Sequence, residues 1–524
     1  MQSRFSRLRE RVAAATFRPM LDPMKVPELL TPAEMGEADR TAVALGAPGI
    51  ELMERAGLAV AEEAMRLTPS RGRIVVVCGP GGNGGDGFVA GRVLAARGYS
   101  VELGLFGQRD ALRGDPALAA SRYEGPASPA ADLDPQNADC LIDGLFGAGL
   151  ARDLDGEAKA IVERMNAFAR QGGRVVAVDV PSGVDGESGK VRGAAVEASA
   201  TVTFFRLKPG HVMQPGRSLC GTIRLVDIGI PEQALARIRP KAFVNSPALW
   251  RGALPRPNAD SHKYARGAAL VLSGPAHQTG AARMAARAAL RVGAGIVSVA
   301  SPPDSVAVNA AQLTAIMVAP FSGVSGFEAL LKDERRRAIA LGPGAGRGAD
   351  LRKLVAAALT RPATGRTVVI DADALTSFAG EAEGLAMLIA RGGHAAVMTP
   401  HEGEFAQLFR GAAGIDQGAD KLSRARAAAH ATGAVVVIKG SDTVAAAPDG
   451  RATIGWDLAP NLATAGSGDV LTGLVAGLAA QGMPPFEAAS AAVWLHGACG
   501  RAFGPGLIAE DLPEALPGVL KALG

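Results

Sequence analysis

The chain has 524 residues, of which 48% are hydrophobic and 20% are charged. A single hydrophobic core stops growing well short of this length, so the composition predicts at least two globular domains and excludes a disordered chain. The formal net charge of +4 is nearly neutral for such a chain, which excludes a strongly basic nucleic-acid-binding protein.

The first twenty residues are rich in arginine and lack the apolar stretch of a secretory signal. A transit peptide would also have this composition, but we favour a plain N-terminal extension over residues 1–24. The longest apolar stretch, 471–480, is too short to cross a bilayer, so no membrane association is expected. The four cysteines have no CxxC spacing, which is typical of thiols in a reducing compartment, and we expect a cytoplasmic protein.

Two blocks of sequence alternate β-branched runs with Ala- and Leu-rich helical stretches. The strands predicted in the first block are 73–78, 100–106, 139–146, 174–183, 200–205 and 222–230. Those predicted in the second block are 267–274, 295–301, 337–344, 367–375, 395–401 and 434–447. Several are continuous apolar runs, which is the pattern of strands buried on both faces of a parallel sheet. A proline-rich segment at 237–264 separates the blocks, so we predict α/β domains at 25–240 and 241–524.

A glycine-rich run at 78–87 follows the first strand and opens a helix. Gly79, Gly81 and Gly84 have the GxGxxG spacing of a dinucleotide-binding loop, and an ordinary NAD-binding loop is the simplest interpretation. Asp86 argues against it, because a carboxylate at the start of the helix would repel a pyrophosphate.

Two further strands of the first block also end in acidic, glycine-containing turns. Asp143 precedes a second glycine-rich turn, and Asp179 and Ser182 lie in a third. Ligands bind at the carboxyl ends of parallel strands, and oxygen-rich side chains there suit a hard cation. The alternative is that Asp143 and Asp179 only cap the helices that follow; three such strand ends together favour a site.

The segments 34–57, 79–87, 143–153 and 179–185, in this order, resemble the NAD(P)H-hydrate epimerase family over roughly residues 25–235. The resemblance implies a Rossmann-like three-layer fold and inversion between the R and S hydrates, with Asp179 transferring a proton at C6 of the hydrated nicotinamide ring. It implies potassium ligands at Asn83, Asp143 and Ser182. The substrate contacts that it implies are a loop formed by Gly82, Asn83, Gly84, Gly85 and Asp86, together with Gly147, Ala148, Gly149, Leu150, Ala151, Arg152, Asp153 and Asp179. Gly82 departs from the family, which has an asparagine at this position.

The strongest motif of the second block is the sequence 461–480, in which Gly466, Gly468 and Asp469 open an apolar helix. Glycines at a helix N-terminus let backbone N–H groups converge on one anion, and Asp469 would lie beside a bound phosphate as a base. The alternative is a glycine turn with Asp469 as a helix cap, which does not account for the two glycines.

Other predicted strands of this block end in residues suited to ligands. The sequence KGSDT at 439–443 offers a cation and hydroxyls, GPGAG at 342–346 offers bare backbone, and TPHEGEF at 399–405 contains His401. A lone histidine is more often structural, but this one stands at the carboxyl edge of the sheet, which favours a ligand contact.

With HKYARGAALVLSG, TGAARMAARAALRVGAG and DADAL, these motifs resemble the ADP- or ATP-dependent NAD(P)H-hydrate dehydratase family, which has a ribokinase-like fold, over roughly 245–524. The resemblance implies ADP or ATP as co-substrate, with Mg²⁺, and NAD(P)H hydrate as substrate. The implied hydrate contacts are Ala281, Gly344, His401 and Asp469. The implied nucleotide contacts are Lys439, Gly440, Ser441, Asp442, Thr443 and Gly468.

The chain is thus predicted to be a bifunctional nicotinamide-nucleotide repair enzyme, and we expect a homo-oligomer. An alternative is a vitamin-alcohol kinase joined to a non-catalytic binding module, since the Gly-Gly-Asp cradle is common to the whole ribokinase-like fold.

Overall fold

The computed structural model describes residues 20–256, 262–363 and 365–523. These residues form two compact units that divide after Pro240. The predicted extension at 1–24 lies outside the described residues except for its last five. Among the described residues, none of the helices has the length and apolarity that a membrane span requires.

The first unit is a parallel sheet with helices on its faces. Its strands are β1 (Glu28–Leu29), β2 (Arg73–Cys78), β3 (Ser100–Leu105), β4 (Ala127–Pro129), β5 (Cys140–Gly144), β6 (Arg174–Val178), β7 (Ala200–Phe204) and β8 (Thr222–Val226). Its helices are α1 (Pro32–Ala44), α2 (Gly49–Leu67), α3 (Gly82–Ala96), α4 (Gly114–Ser121), α5 (Gly156–Arg170), α6 (Gly216–Leu219) and α7 (Gln233–Ile238).

The seven-stranded sheet of this unit has the order β4-β3-β2-β5-β6-β7-β8, and every pairing is parallel. The chain runs outward from β2 to β4, then restarts at β5 on the other side of β2. The strand order therefore reverses between β2 and β5, and a crevice opens beyond the carboxyl ends of strands at such a point.

The second unit also surrounds a mostly parallel sheet. Its strands are β9 (Ala242–Val244), β10 (Ala268–Leu272), β11 (Ile296–Ser301), β12 (Met317–Pro320), β13 (Arg336–Leu341), β14 (Thr367–Ile370), β15 (Ala395–Met398), β16 (Val435–Ile438), β17 (Val444–Ala446) and β18 (Ala452–Ile454). Its helices are α8 (Pro247–Trp250), α9 (Thr279–Arg291), α10 (Val306–Gln312), α11 (Gly323–Leu331), α12 (Ala349–Thr360), α13 (Ala372–Thr376), α14 (Ala382–Gly392), α15 (Glu402–Leu408), α16 (Lys421–Thr432), α17 (Ser467–Ala480), α18 (Pro485–Phe503) and α19 (Asp511–Leu523).

Within this unit the strand order is β9-β18-β17-β16-β15-β14-β13-β10-β11-β12, and only β17 runs antiparallel to its neighbours. Here the order reverses between β10 and β13. The parallel sheets of both units confirm the predicted α/β class. The run at 434–447, predicted as one strand, is two: β16 and β17 form an antiparallel pair joined by the turn at 439–443.

Helix α17 lies directly on α9 because both are built from small residues. A Cβ atom on Gly473 would come within 2.1 Å of the carbonyl oxygen of Ala285, and one on Gly477 within 2.6 Å of that of Ala289. This contact lies inside the buried core of the unit and fixes the start of α17 relative to the start of α9.

Candidate active sites

The glycine-rich run of the first unit connects β2 to α3 at the point where the strand order reverses. Gly79 lies so close to the next strand connection that a Cβ atom there would be 1.7 Å from the carbonyl oxygen of Leu145. Residues 82–86, predicted as a substrate loop, are instead the first turns of α3, whose N-cap is Gly81. The prediction of a loop is wrong because glycine also permits the helix to begin early, and its first backbone N–H groups remain free for a ligand.

A cleft of about 950 Å³ opens at this edge of the sheet. The predicted substrate contacts on its wall are Gly82, Asn83, Asp86, Gly147, Ala148, Gly149, Leu150, Ala151, Arg152 and Asp179. Gly84, Gly85 and Asp153 are not among the lining residues. Gly84 and Gly85 serve packing, since a Cβ atom would come within 1.8 Å of the carbonyl oxygen of Gly79 and 2.6 Å of the Met53 side chain, respectively.

Asp179 follows β6 with a left-handed backbone (φ 64°) and is held by groups that the sequence did not suggest. Its Oδ1 accepts hydrogen bonds from Lys208 Nζ at 2.5 Å and from Thr203 Oγ1 at 3.0 Å. His211 Nε2 lies 2.7 Å from its carbonyl oxygen. Burial would raise the pKa of Asp179, but the charges of Lys208 and His211 and the hydrogen bonds from Lys208 and Thr203 together outweigh burial, and the pKa lies below its usual value.

Asp86 is in a different environment although it lines the same cleft. Its side chain is buried, and burial together with the charges of Asp179 and Asp39 raises its pKa well above the usual value. Lys208 and Asp39 were missed by the sequence analysis. For Lys208 the available signal was a polar residue soon after β7, at the same edge as the other strand ends.

The three predicted potassium ligands lie on neighbouring segments. Asp143, fully buried at the end of β5, accepts hydrogen bonds from the backbone N–H of Ser182 at 2.8 Å and from Ser182 Oγ at 2.5 Å. Asn83 Nδ2 donates to the carbonyl oxygen of Val178 at 2.6 Å, and its Oδ1 lies against Gly147. Burial raises the pKa of Asp143 to about 6.

This donor set fits a monovalent hard cation. It offers amide, hydroxyl and carboxylate oxygens, and a cation would offset the cost of burying the Asp143 carboxylate. In the described ranges no group of three or more His, Cys, Asp or Glu side chains could hold a metal. Neither Asp143 nor Asp179 caps the helix that follows it, so the capping alternative is wrong. The N-cap of α5, which follows Asp143, is Asp155, and that of α6, which follows Asp179, is Pro215.

The second unit brings its predicted residues together around Lys439. The Lys439 ammonium lies 2.9 Å from Asp371 Oδ1 and 3.7 Å from Glu404 Oε2. A Cβ atom on Gly468 would be 3.3 Å from Lys439 Nζ, so this cation borders the glycine cradle at the start of α17. Gly466, the N-cap of α17, has the left-handed φ of 85° that makes glycine necessary there.

Asp469 lies half-buried in the first turn of α17 beside this cluster. Burial and the charge of Asp371 raise its pKa to about 6, against the lowering effect of Lys439. Asp371 itself is buried and accepts a hydrogen bond from Thr472 Oγ1 at 2.6 Å. Asp371 belongs to the DADAL motif, and no role was predicted for it although it follows β14 at the same sheet edge.

The remaining predicted contacts surround this centre. Gly344, with φ 60°, comes so close to α9 that its Cβ atom would be 3.3 Å from that of Ala281. His401 is the N-cap of α15: its Nδ1 accepts hydrogen bonds from the backbone of Gly403 and Glu404, and its ring is 60% exposed. The structure thus gives His401 a capping role and still leaves its ring accessible.

The turn between β16 and β17 presents mainly backbone. Gly440 and Ser441 are exposed, whereas Asp442 is buried in an ion pair with Lys421. Thr443 Oγ1 donates to the carbonyl oxygen of Gly440 at 2.7 Å.

At the carboxyl edge of each parallel sheet, glycine-lined backbone lies beside a carboxylate. This arrangement is typical of a two-domain α/β enzyme that acts on nucleotides. A family model described as the YjeF-related protein N-terminus matches residues 49–210, and one described as NAD(P)H-hydrate dehydratase matches residues 269–516. The bifunctional NAD(P)H-hydrate repair enzyme Nnr of Moorella thermoacetica is 37% identical to this chain, over 94% of this chain and 97% of that protein. The chain therefore belongs to the family of bifunctional NAD(P)H-hydrate repair enzymes.

A second relative agrees with this membership. The enzyme of the same name from Coxiella burnetii is 33% identical over 88% of this chain and 92% of its own length. A solved structure of the ADP/ATP-dependent NAD(P)H-hydrate dehydratase from Bacillus subtilis, co-crystallised with ATP and Mg²⁺, is 29% identical over 54% of this chain and 98% of that chain, with a TM-score of 0.46. The predicted family and its two enzymatic domains are confirmed, and the vitamin-alcohol kinase alternative is not favoured.

Proposed function

We propose that the first unit interconverts the R and S hydrates of NADH and NADPH and that the second dehydrates the S form at the expense of ADP or ATP. The observation that carries this proposal is the pairing of two sheet-edge sites, one holding an ionised carboxylate at Asp179 and the other a carboxylate of raised pKa at Asp469 beside a glycine cradle. A dehydratase that accepts one epimer requires a partner that converts the other.

In the first unit the cleft-lining backbone at 147–152 and the start of α3 would hold the hydrate, with Asp179 moving a proton at C6. Lys208 keeps Asp179 ionised and fixes its orientation. Asn83, Asp143 and Ser182 would hold the potassium ion, which when bound supplies positive charge between the substrate-binding turns. Gly84, Gly85 and Asp153 would then act through the backbone or through packing.

In the second unit Asp469 would accept the proton of the C6 hydroxyl as its oxygen attacks the terminal phosphoryl group of the nucleotide. With ADP, AMP leaves; the C6–O bond then breaks, phosphate departs, and loss of the C5 proton restores the dihydropyridine. Gly468 and Lys439, which border each other at the start of α17, would stabilise charge on the moving phosphoryl group. Ala281, Gly344 and His401 would hold the hydrate, residues 439–443 the nucleotide, and Mg²⁺ would accompany it.

The four cysteines are all free and buried, which supports a reducing compartment such as the cytoplasm. We also propose a homo-oligomer, whose interface would cover exposed apolar side chains such as Phe503 and Ile508. Light scattering on the purified protein tests the oligomeric state.

The function is tested by mixing the chain with the R and S hydrates of NADH and with ADP. We expect full recovery of the NADH absorbance band, with one AMP and one phosphate released for each NADH formed. Recovery of only the S fraction would refute the epimerase assignment, and phosphorylated product without NADH would refute the dehydratase assignment.

A further inference from the structure

Asp86 has a buried carboxyl group that lines the epimerase cleft and is not paired with a positively charged side chain. Within the described residues it makes no hydrogen bond and no ion pair, although it is only 8% exposed. Asp179 lines the same cleft but has Lys208, Thr203 and a backbone N–H as partners. Two carboxyl groups that share one cleft therefore experience opposite environments.

The charged groups that act on Asp86 are both carboxylates, Asp179 after β6 and Asp39 on α1. The Cys78 thiol at the end of β2 also lies near Asp86, but burial raises its pKa and keeps it neutral. Burial and these charges favour the protonated form of Asp86, while Lys208 favours the ionised form of Asp179. Paired groups whose environments separate their protonation states in this way are typical of an acid and base acting together.

We propose that Asp86 is the proton donor of the epimerisation and that it works together with Asp179 as the proton acceptor. This inference rests on the proposed epimerase function. It assigns a role to Asp86 beyond that of a substrate contact.

The chemistry of the hydrate calls for both roles. Carbon C6 carries a hydroxyl group and is bonded to ring nitrogen N1, so its configuration is lost when the C6–N1 bond breaks. Asp179 accepts the hydroxyl proton, the C6–N1 electron pair passes to N1, and N1 takes the proton of Asp86. An aldehyde and an enamine N–H result, with no oxidant or other reactant consumed.

Rotation about the C5–C6 bond then exposes the other face of the aldehyde. The nitrogen adds back to C6, returns its proton to Asp86, and the oxygen regains the proton held by Asp179. Without a donor, N1 would have to leave as an anion, which is a poor leaving group at neutral pH.

The test is the Asp86→Asn variant of the full chain, because an amide keeps the size of the side chain but has no acidic proton. We expect the interconversion of R and S hydrates, followed by chromatography, to slow by about 10²-fold or more. ADP-dependent turnover of the S hydrate by the same sample should be unchanged, which shows that the chain is folded and active. Asp132→Asn, an exposed carboxylate outside the cleft, is the matched control.

Two further measurements separate proton donation from a structural role. Asp86→Glu, which keeps an acidic proton, should retain clearly more epimerase activity than Asp86→Asn. The wild-type rate should fall as pH rises through the pKa of Asp86, and this alkaline limb should be missing in Asp86→Asn.

An Asp86→Asn variant within threefold of the wild-type rate, or a slow variant that keeps the alkaline limb, would overturn the inference. Failure of the wild-type chain itself to interconvert the hydrates would instead refute the proposed epimerase function.

Discussion

Because the pKa of Asp469 is raised, its proposed role as the base predicts that the dehydratase activity is sensitive to mildly acidic pH. With a pKa of about 6, the ionised fraction of Asp469 is about 0.9 at pH 7 and about 0.1 at pH 5. An aspartate at its ordinary value would still be about 90% ionised at pH 5. Because only the ionised form can accept the hydroxyl proton, kcat/KM for the S hydrate should fall about tenfold between pH 7 and pH 5.

The assay follows NADH absorbance from purified S hydrate at saturating nucleotide, with a no-enzyme blank at each pH. Removing the carboxylate that raises this pKa, by Asp371→Asn, should move the acid limb to lower pH, whereas Asp350→Asn, an exposed carboxylate, should leave it in place. A rate that stays flat from pH 7 to pH 5, or an acid limb unmoved by Asp371→Asn, would refute this account of Asp469.

Three other predictions concern Lys208, His496 and the proposed potassium ligand Asp143. Lys208→Met should raise the pKa of Asp179 and slow epimerisation at least tenfold, with Lys208→Arg recovering part of the loss; equal rates for wild type and Lys208→Met would exclude Lys208 from the site. Burial lowers the pKa of His496 to about 4, so the unfolded chain binds the extra proton first as pH falls below about 6.5. The free energy of unfolding contributed by the neutral ring should therefore fall by about 2 kcal/mol between pH 7 and pH 5. When unfolding by denaturant is measured at the two pH values, this fall should be absent from His496→Gln. At constant ionic strength, added K⁺ should raise the epimerase rate of wild type but not of Asp143→Asn; an epimerase indifferent to K⁺ would contradict the assigned ligands.

The elements that carry continuous apolar runs were predictable from sequence. Strand β2 spans Arg73–Cys78, as predicted, because its continuous apolar run marks both ends of the strand. Strands β9 and β18 were missed because three-residue strands leave no periodic signal, and β9 lies in a proline-rich segment. The β16–β17 hairpin was merged into one strand because both of its arms are apolar.

The glycine motifs predicted the location of both sites, but not the charged side chains that shift the pKa values of their carboxyl groups. Lys208 lies 29 residues from Asp179, and Lys439 lies 68 residues from Asp371. Such ion pairs depend on which strands become neighbours and on how deeply each side chain is buried. Neither quantity can be obtained from local spacing.

The tight packing of α17 on α9 has a consequence for the proposed site of the second unit. Ala281 belongs to α9 and Asp469 to α17, and a Cβ atom at Gly473 or Gly477 would meet the backbone of α9. The distance between the proposed hydrate contact and the proposed base therefore depends on these two glycines, since a larger side chain at either position would force the two helices apart.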